Sequence, residues 1–300
     1  MDRANNGMDR LRAYIGENLL ALGMAAALAV AVAAAIHFET RLDISDTASA
    51  SVATEKEAAA LPPLRATDIH AGLDYSLNAV AETKRAPRLF IGELETDLRR
   101  IRDVAEKKRT FFRIMLPIIA RENDVIRAER ARIATATDAE LADLYKKYDI
   151  DPGDRAALLK RCDIVPASLA LAQAAIESGW GASRFARHGN NFFGMRTYSD
   201  SQPGIKPKEA EGFKLTAFKD IAHSVRAYMH NLNTHQAYAT FRSERARHRK
   251  QDGRVSGFHL VDYLSSYSEI PGKYAARLRA LINRDRLQRF EGVRLNGQGS

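Results

Sequence analysis

The chain has 300 residues, of which 45% are hydrophobic and 28% are charged, and these values exclude a wholly disordered protein. Its formal net charge of +9 favours anionic surroundings, such as a membrane face, an acidic polymer or nucleic acid, without deciding between them. The single cysteine, Cys162, excludes an intrachain disulfide and a cysteine-based zinc site, and we interpret it as a buried packing residue.

The first predicted element is an apolar segment near the amino terminus. Residues 19–36 contain no charged or polar side chain, and as a helix they reach about 27 Å, close to the thickness of a bilayer core. Arg3, Arg10 and Arg12 precede this segment and favour a cytoplasmic location for residues 1–18. We predict a single-pass inner-membrane anchor that places the rest of the chain in the periplasm. A signal peptide cleaved near Ala35 and a buried alanine-rich helix are the alternatives.

The next two regions differ in composition. Residues 37–90 are rich in Ala, Ser and Thr, contain Pro62-Pro63 and show little apolar periodicity, which predicts a flexible linker. In residues 91–162 apolar side chains recur every three or four positions, which predicts a helical lead-in. We expect one or two long amphipathic helices there, with a break or kink at Pro117, and another helix at about 138–148.

Residues 163–300 are predicted to form the catalytic domain. Pro166 suits the first turn of a helix that ends near Gly179. Residues 192–197 and 212–218 read as the strands of a small hairpin, joined by the loop 199–207. The remaining pattern predicts helices at about 220–233, 237–250, 257–263 and 273–289. The fold class is therefore mainly α (α+β), with one small β hairpin.

Glu177 is the candidate catalytic residue of this domain. It follows three apolar residues at the end of a predicted helix and precedes Trp180. A carboxyl group against apolar and aromatic surface is poorly solvated when charged, so its pKa rises and it stays protonated near neutral pH. Protonation of a glycosidic oxygen requires such a group. An exposed glutamate at a helix end is the alternative that these residues alone leave open.

The segment after Glu177 has the composition of a sugar site. Gly179 and Gly181 would let a bulky sugar chain approach the backbone closely. Residues 190–194, Asn-Asn-Phe-Phe-Gly, supply amides for hydroxyl groups and flat rings for the C–H faces of sugars.

These segments carry a family resemblance. Residues 174–186, AAIESGWGASRFA, and residues 190–195, NNFFGM, resemble the glucosaminidase domain of glycoside hydrolase family seventy-three, in particular its Bax-type proteins. Further similar segments extend the resemblance from about Glu106 to Phe290. They include residues 107–112, 163–166, 231–235 and 257–274.

The resemblance implies a lysozyme-like fold and cleavage of peptidoglycan glycan strands next to N-acetylglucosamine. The family's catalytic glutamate falls on Glu177. The resemblance also supplies candidate substrate-binding residues. These are Trp180, Asn191, Phe193, Tyr228 and Tyr238.

The second acidic group of such enzymes falls in the predicted β region. Glu211 is the first choice there, with Glu209 beside it. Two carboxyl groups normally share the work of glycoside hydrolysis. A solvated hairpin glutamate is the alternative interpretation of Glu211, in which case water is activated by another group or the acetamido group of the substrate assists.

We predict no metal site and no cofactor. His223, His230 and His235 are spaced by seven and five residues, which does not place all three on one face of a helix. The basic run at residues 242–250 could be a nucleic-acid patch, a solvated helix face or a contact with acidic wall polymer. The predicted export of the domain argues against nucleic acid as a partner. The expected partners are peptidoglycan glycan strands and the inner membrane.

The leading functional prediction is an endo-type N-acetylglucosaminidase. A lytic transglycosylase is the nearest alternative, but such enzymes usually carry Gly-Leu-Met-Gln where this chain has Asn-Asn-Phe-Phe-Gly-Met. A non-catalytic wall-binding or scaffold protein of the cell envelope is the alternative from another class.

Overall fold

The computed structural model describes residues 73–94, 97–208, 212–267 and 270–297, all within one compact unit. No helix in these ranges is both long and apolar enough to cross a bilayer. The predicted cytoplasmic segment 1–18, the apolar segment 19–36 and most of the linker lie outside them. The membrane anchor therefore stays a prediction.

Helices dominate the described residues, as the apolar periodicity predicted. In chain order they are α1 (Leu77–Thr83), α2 (Val104–Thr135), α3 (Ala142–Lys147), α4 (Arg155–Arg161), α5 (Ala167–Ser178), α6 (Arg184–Gly189), α7 (Ile221–Thr234), α8 (Ala239–Asp252), α9 (Gly257–Leu260) and α10 (Pro271–Arg284). The short strands are β1 (Arg85–Ala86), β2 (Arg196–Thr197), β3 (Gly204–Ile205), β4 (Lys214–Thr216) and β5 (Arg294–Leu295). Single 3₁₀ turns cover Leu98–Arg100, Gln236–Tyr238, Val261–Tyr263, Ser265–Tyr267 and Leu287–Phe290.

The helical lead-in is dominated by one helix, α2, of 32 residues. It starts at Val104 rather than near Ile91, because the Asp103 carboxylate accepts a hydrogen bond of 2.6 Å from the Glu106 amide and caps the first turn. The helix continues through Pro117, which has no amide proton to donate. Buried apolar neighbours on both sides of Pro117 anchor the helix in the core, and this packing outweighs the local cost.

The predicted linker 37–90 is wrong over its described part, residues 73–90. Helix α1 is capped by the Ser76 hydroxyl, and Leu77 and Val80 are buried in the core. Strand β1 then pairs in parallel with β5, so that Arg85 lies opposite Arg294. The linker's composition could not indicate this, because the partner strand lies more than two hundred residues away in the chain.

One hydrophobic core extends from Leu73 to Leu295. The predicted lead-in 91–162 and the predicted catalytic domain 163–300 both contribute to it, so residue 163 does not separate two folding units among the described residues. Cys162 is fully buried in this core, as predicted. Helix α5 is central, since residues 167–175 are all buried, and it forms a rigid base for the residues at its carboxyl end.

The start of α5 is secured by distant side chains. Its N-cap residue is Pro166, which provides no side-chain cap. The Glu291 carboxylate instead accepts hydrogen bonds from the Ser168 hydroxyl and from the Gly257 amide. From α2, Asn123 binds both the amide and the carbonyl of Val165. Helix α5 is therefore fixed at the end opposite Glu177.

The basic run at residues 242–250 is partly internal. Arg242 and Arg245 are buried, and both donate to backbone carbonyl oxygens. Arg249 forms an ion pair of 2.6 Å with the buried Asp163. A fully solvated helix face is therefore the wrong interpretation of this run, because Arg245 and Arg249 hold α8 against the segment before α5 and Arg242 binds carbonyl oxygens at the end of α7.

The β region is a three-stranded antiparallel sheet in the order β2-β4-β3. The pairing of β2 with β4, with Arg196 opposite Leu215, confirms the predicted hairpin, although both strands are shorter than expected. Strand β3 lies inside the segment predicted as a loop and pairs with β4, so that Ile205 lies opposite Leu215.

Candidate active site

Glu177 lies in the last turn of α5. The helix ends at Gly179, and the chain keeps positive φ angles through Trp180 (61°) and Gly181 (75°). A positive φ is uncommon outside glycine, and here the Trp180 amide donates to Ala175 O at 2.9 Å. The Ser178 hydroxyl also accepts from the Gly181 amide at 2.8 Å. The turn after Glu177 is therefore firmly held.

The carboxyl group of Glu177 is largely removed from water. Burial raises its pKa above the ordinary value, while a hydrogen bond from the Tyr274 hydroxyl and the charges of Arg277 and Arg196 act in the opposite direction. The upward direction is the one that the sequence predicted, because desolvation disfavours a charged carboxylate. The surroundings differ from the expectation, since tyrosines rather than Trp180 cover the group.

Four tyrosines and one phenylalanine form an aromatic cluster beside Glu177. Phe193 stacks on Tyr228 with ring centroids 3.9 Å apart, and Tyr267 stacks on Tyr274 at 5.8 Å. Tyr238 lies 6.3 Å from Tyr267. Burial raises the pKa of all four tyrosines, so that their hydroxyl groups stay protonated and can donate hydrogen bonds.

A directed chain of hydrogen bonds ends on Glu177. The Tyr228 hydroxyl donates to Gln173 Oε1 at 2.6 Å, and Gln173 Nε2 donates to the Tyr274 oxygen at 2.9 Å. The Tyr274 hydroxyl in turn donates to the Glu177 carboxyl. No buried side-chain nitrogen or oxygen of Tyr228, Gln173 or Tyr274 is left without a hydrogen-bond partner, as buried polar groups require.

The segment 190–195 places the backbone of Gly194 close to the carboxyl group of Glu177. Asn191 is buried, and its amide nitrogen donates to the carbonyls of Met195 at 2.8 Å and Thr216 at 2.9 Å. Its amide oxygen accepts from the Met195 amide at 3.0 Å. These bonds pin the segment to β4. At Gly194, where φ is +67°, an added Cβ would lie 3.5 Å from Glu177 Oε2.

The predicted substrate-binding residues divide into two groups. Phe193, Tyr228 and Tyr238 lie in the aromatic cluster, but at most 6% of each is exposed. Trp180 is directed to α2, where its ring lies 5.6 Å from Phe111 and the Lys108 ammonium lies over it at 5.0 Å. The direct contact of these residues with sugar stays a prediction.

The second carboxylate stays a prediction as well, because Glu209 and Glu211 lie outside the described residues. The structure adds site residues that the sequence reading did not single out. They are Gln173, Arg196, Tyr267, Tyr274 and Arg277. Gln173 could have been found, because it precedes Glu177 by one helical turn. Tyr274 gives no local signal, since it lies 101 residues after Gln173 in the chain.

The arrangement around Glu177 is suited to general acid catalysis. A desolvated carboxyl group can hold a proton near neutral pH and transfer it to an oxygen atom of a bound substrate. The Tyr274 hydroxyl fixes the orientation of that carboxyl group, and the backbone at Gly194 leaves space beside it.

Parts of this chain are similar to known proteins. The family model "Glucosaminidase: Mannosyl-glycoprotein endo-beta-N-acetylglucosaminidase" matches residues 154–287, a range that contains Glu177 and the whole aromatic cluster. Protein bax of Escherichia coli (strain K12) is 35% identical over 187 residues, which cover 57% of this chain and 67% of that protein.

A solved structure also matches. The catalytic domain of the autolysin Auto from Listeria monocytogenes shows 19% identity and a TM-score of 0.33, covering 54% of this chain and 88% of that chain. A TM-score this low does not establish a shared fold, so the lysozyme-like architecture stays a prediction.

Proposed function

This chain belongs to the glucosaminidase family, in its Bax-type group, and on that basis we propose that it hydrolyses the glycan strands of peptidoglycan at N-acetylglucosamine. The observation that carries the proposal is the Glu177 carboxyl group, which is desolvated, hydrogen-bonded by Tyr274 and inside the matched family range. We propose an endo-type cleavage, as the description of the matched family suggests.

In the proposed reaction Glu177 is the general acid. Its raised pKa keeps a proton available, and transfer of that proton to the glycosidic oxygen lets the leaving sugar depart as an alcohol. The Tyr274 hydroxyl stabilises the carboxylate that remains. Without that donor, the negative charge formed in the step would be poorly solvated.

We propose Glu211 as the second carboxylate, acting on water or on the sugar from the other face. Glu209 is the nearest alternative, and assistance by the acetamido group of the substrate is the route that needs neither residue. Parallel Glu209→Gln and Glu211→Gln variants separate these routes. A large loss of activity only in Glu211→Gln supports the proposal, and wild-type rates in that variant would contradict it.

The decisive experiment is digestion of purified cell wall by the wild type and by Glu177→Gln. We expect the variant to be inactive although its circular dichroism spectrum is unchanged. Glu244→Gln is the matched control, because Glu244 lies on α8 and pairs with Arg247 at the surface. Undiminished digestion by Glu177→Gln would refute the role of Glu177 and would favour a wall-binding or scaffold function for this protein.

The nearest alternative reaction is that of a lytic transglycosylase, which also uses one glutamate. Mass spectrometry of the products separates the two reactions. Hydrolysis leaves reducing ends at N-acetylglucosamine, whereas anhydro-muramic ends would contradict the hydrolase proposal.

We also propose that residues 19–36 hold the enzyme at the inner membrane, with its catalytic domain in the periplasm. The support is the length and apolarity of that segment and the arginines before it. Sequencing of the mature amino terminus tests this location. A terminus after Ala35 would replace the anchor with a cleaved signal peptide.

A further inference from the structure

Two exposed arginines lie near enough to Glu177 to lower the pKa of its carboxyl group, and they come from different elements. Arg196 lies on β2, two residues after Gly194, where the backbone approaches Glu177 Oε2. Arg277 lies on α10, three residues after Tyr274, which donates to the same carboxyl group. Both side chains are exposed whereas Glu177 is largely buried, so the arginines lie on the solvent side of the site.

Arg196 is held against an aromatic surface. Its guanidinium lies 4.4 Å from the centroid of the Phe213 ring, and the Tyr198 ring lies 6.2 Å from that of Phe213. Stacking on a ring face orients a planar guanidinium and leaves its N–H edge available to a ligand. The partly exposed rings of Tyr198 and Phe213 are a flat surface of the kind on which sugars pack.

The two charges do not serve the acid role of Glu177. Positive charge beside a carboxyl group favours its ionised form, and both arginines act on Glu177 in that direction. A general acid must keep its proton, and the Tyr274 hydroxyl already stabilises the carboxylate that forms when the proton leaves, so the acid role does not require the two cations. Their position calls for another explanation.

No carboxylate of the described ranges forms an ion pair with these two side chains. On the same helix as Arg277, Arg279 pairs with Asp262 and Arg284 pairs with Asp285. Neither Arg196 nor Arg277 has an ion-pair partner within residues 73–94, 97–208, 212–267 and 270–297. Exposed positive charge without an ion-pair partner attracts and orients an anionic ligand.

We propose that Arg196 and Arg277 bind a carboxylate carried by the glycan, so that the enzyme cuts acidic glycan strands in preference to neutral ones. This role rests on the proposed function, because it places the glycan beside Glu177. In peptidoglycan the sugar that alternates with N-acetylglucosamine bears a lactyl ether, and its carboxyl group is the matching anion wherever no peptide is attached to it. Guanidinium groups bind carboxylates through two parallel hydrogen bonds, which gives geometric selectivity as well as affinity.

The test compares three substrates under identical conditions. One is wall glycan freed of its peptides, which exposes the lactyl carboxylates. The second is the same glycan after carbodiimide coupling to ethanolamine, which neutralises them. The third is an oligomer of N-acetylglucosamine. We expect the wild type to cut the acidic glycan with a kcat/KM about tenfold above that of the amidated glycan, and the ratio to fall as salt is added.

Variants locate the preference in the two arginines. We expect Arg196→Gln and Arg277→Gln each to lower the acidic-to-amidated ratio several-fold, and Arg196→Lys to retain part of it because the charge remains without the planar fork. Arg284→Gln is the matched control, since it removes an exposed arginine from the same helix. It should keep the wild-type ratio.

The outcomes separate this inference from the proposed function. If the wild type cuts none of the three substrates, the proposed function is wrong. Binding of a glycan carboxylate by Arg196 and Arg277 is then refuted as well. Equal rates of the wild type on acidic and amidated glycan would overturn the role of the arginines alone. The same conclusion would follow if both glutamine variants kept the wild-type ratio.

Discussion

The side-chain amide of Gln173 donates a hydrogen bond of 2.9 Å to the hydroxyl oxygen of Tyr274, and both residues are buried. Because this oxygen already accepts from Gln173, the Tyr274 proton is directed to its other neighbour, the Glu177 carboxyl. Gln173 is therefore a positioning residue, which acts on Glu177 through Tyr274.

Removal of the Tyr274 hydroxyl should shift the pH dependence of activity. This hydroxyl lowers the pKa of Glu177, so Tyr274→Phe should raise that pKa further. The alkaline limb of the kcat/KM profile should then move to higher pH while kcat falls, because the carboxylate left by proton transfer loses its donor. Tyr75→Phe is the control, since it removes a partly buried tyrosine hydrogen bond to Arg113 O that is remote from Glu177 in the chain. If the pH profile of Tyr274→Phe matches that of the wild type, the hydrogen bond from Tyr274 to Glu177 does not contribute to activity.

Replacement of Gln173 should reproduce part of that shift. In Gln173→Leu the buried Tyr228 hydroxyl loses its acceptor and Tyr274 loses its donor. We expect a loss of about 1–3 kcal/mol in the free energy of unfolding, as for buried polar groups left without partners. The double variant Gln173→Leu, Tyr274→Phe should shift the profile no further than Tyr274→Phe alone. Additive shifts would show that Gln173 acts independently of Tyr274.

The same carboxyl group should lower the stability of the fold. Burial raises the pKa of Glu177 above its ordinary value of 4.5, so between these two pKa values the folded state binds more protons than the unfolded chain. Stability contributed by the protonated group is complete below about pH 4.5 and is lost as the pH rises through the folded pKa. Glu177→Gln should therefore raise Tm at pH 7 and leave it nearly unchanged at pH 4. A lower Tm at pH 7 would indicate that the carboxylate is well solvated.

Gly194 and Gly253 form a matched pair for testing the close approach to Glu177. Both have positive φ, +67° and +63°, but only at Gly194 would a Cβ lie near the carboxyl group. We expect Gly194→Ala and Gly253→Ala each to lose about 1–2 kcal/mol of stability in urea unfolding, as a left-handed alanine costs. Wall digestion should fall only in Gly194→Ala. Equal activity of the two variants would mean that the space beside Glu177 is not used.

His230 should make the fold sensitive to acid. Burial lowers its pKa from 6.5 to about 4, so the unfolded chain binds a proton between these values that the folded chain does not. Stability should therefore fall as the pH is lowered from 6.5 to about 4. His230→Gln should lose less stability than the wild type over this window in urea titrations. If the free energy of unfolding of His230→Gln falls with pH as steeply as that of the wild type, groups other than His230 cause the acid sensitivity.

The sequence predicted the elements whose signals are local. The ends of α5 and α7 agree with the periodicity and the flanking turn residues to within one or two positions. The upward direction of the Glu177 pKa also followed from neighbours in the chain. Burial is the cause, as predicted, whereas the opposing hydrogen bond from Tyr274 had no signal near Glu177 in the chain.

The remaining features depend on distant partners. Two-residue strands such as β1 and β3 have no pattern of their own and exist because β5 and β4 pair with them. Asn191 illustrates the same limit within the site. Its amide was expected to bind substrate, but its hydrogen bonds go to Met195 and Thr216, and only the fold shows this.

The pairing of β1 with β5 has a consequence for the order in which the protein forms. The Arg85 guanidinium and the Leu295 carbonyl that it binds are separated by 210 positions. At the usual pace of translation, 5–20 residues per second, the ribosome needs about 10–40 s to make the intervening chain. The segment at residues 85–86 must wait for that time without its partner strand. The pairing of β1 with β5 thus joins one of the earliest described segments to one of the latest, and it can form only after the helix that carries Glu177 has been synthesised.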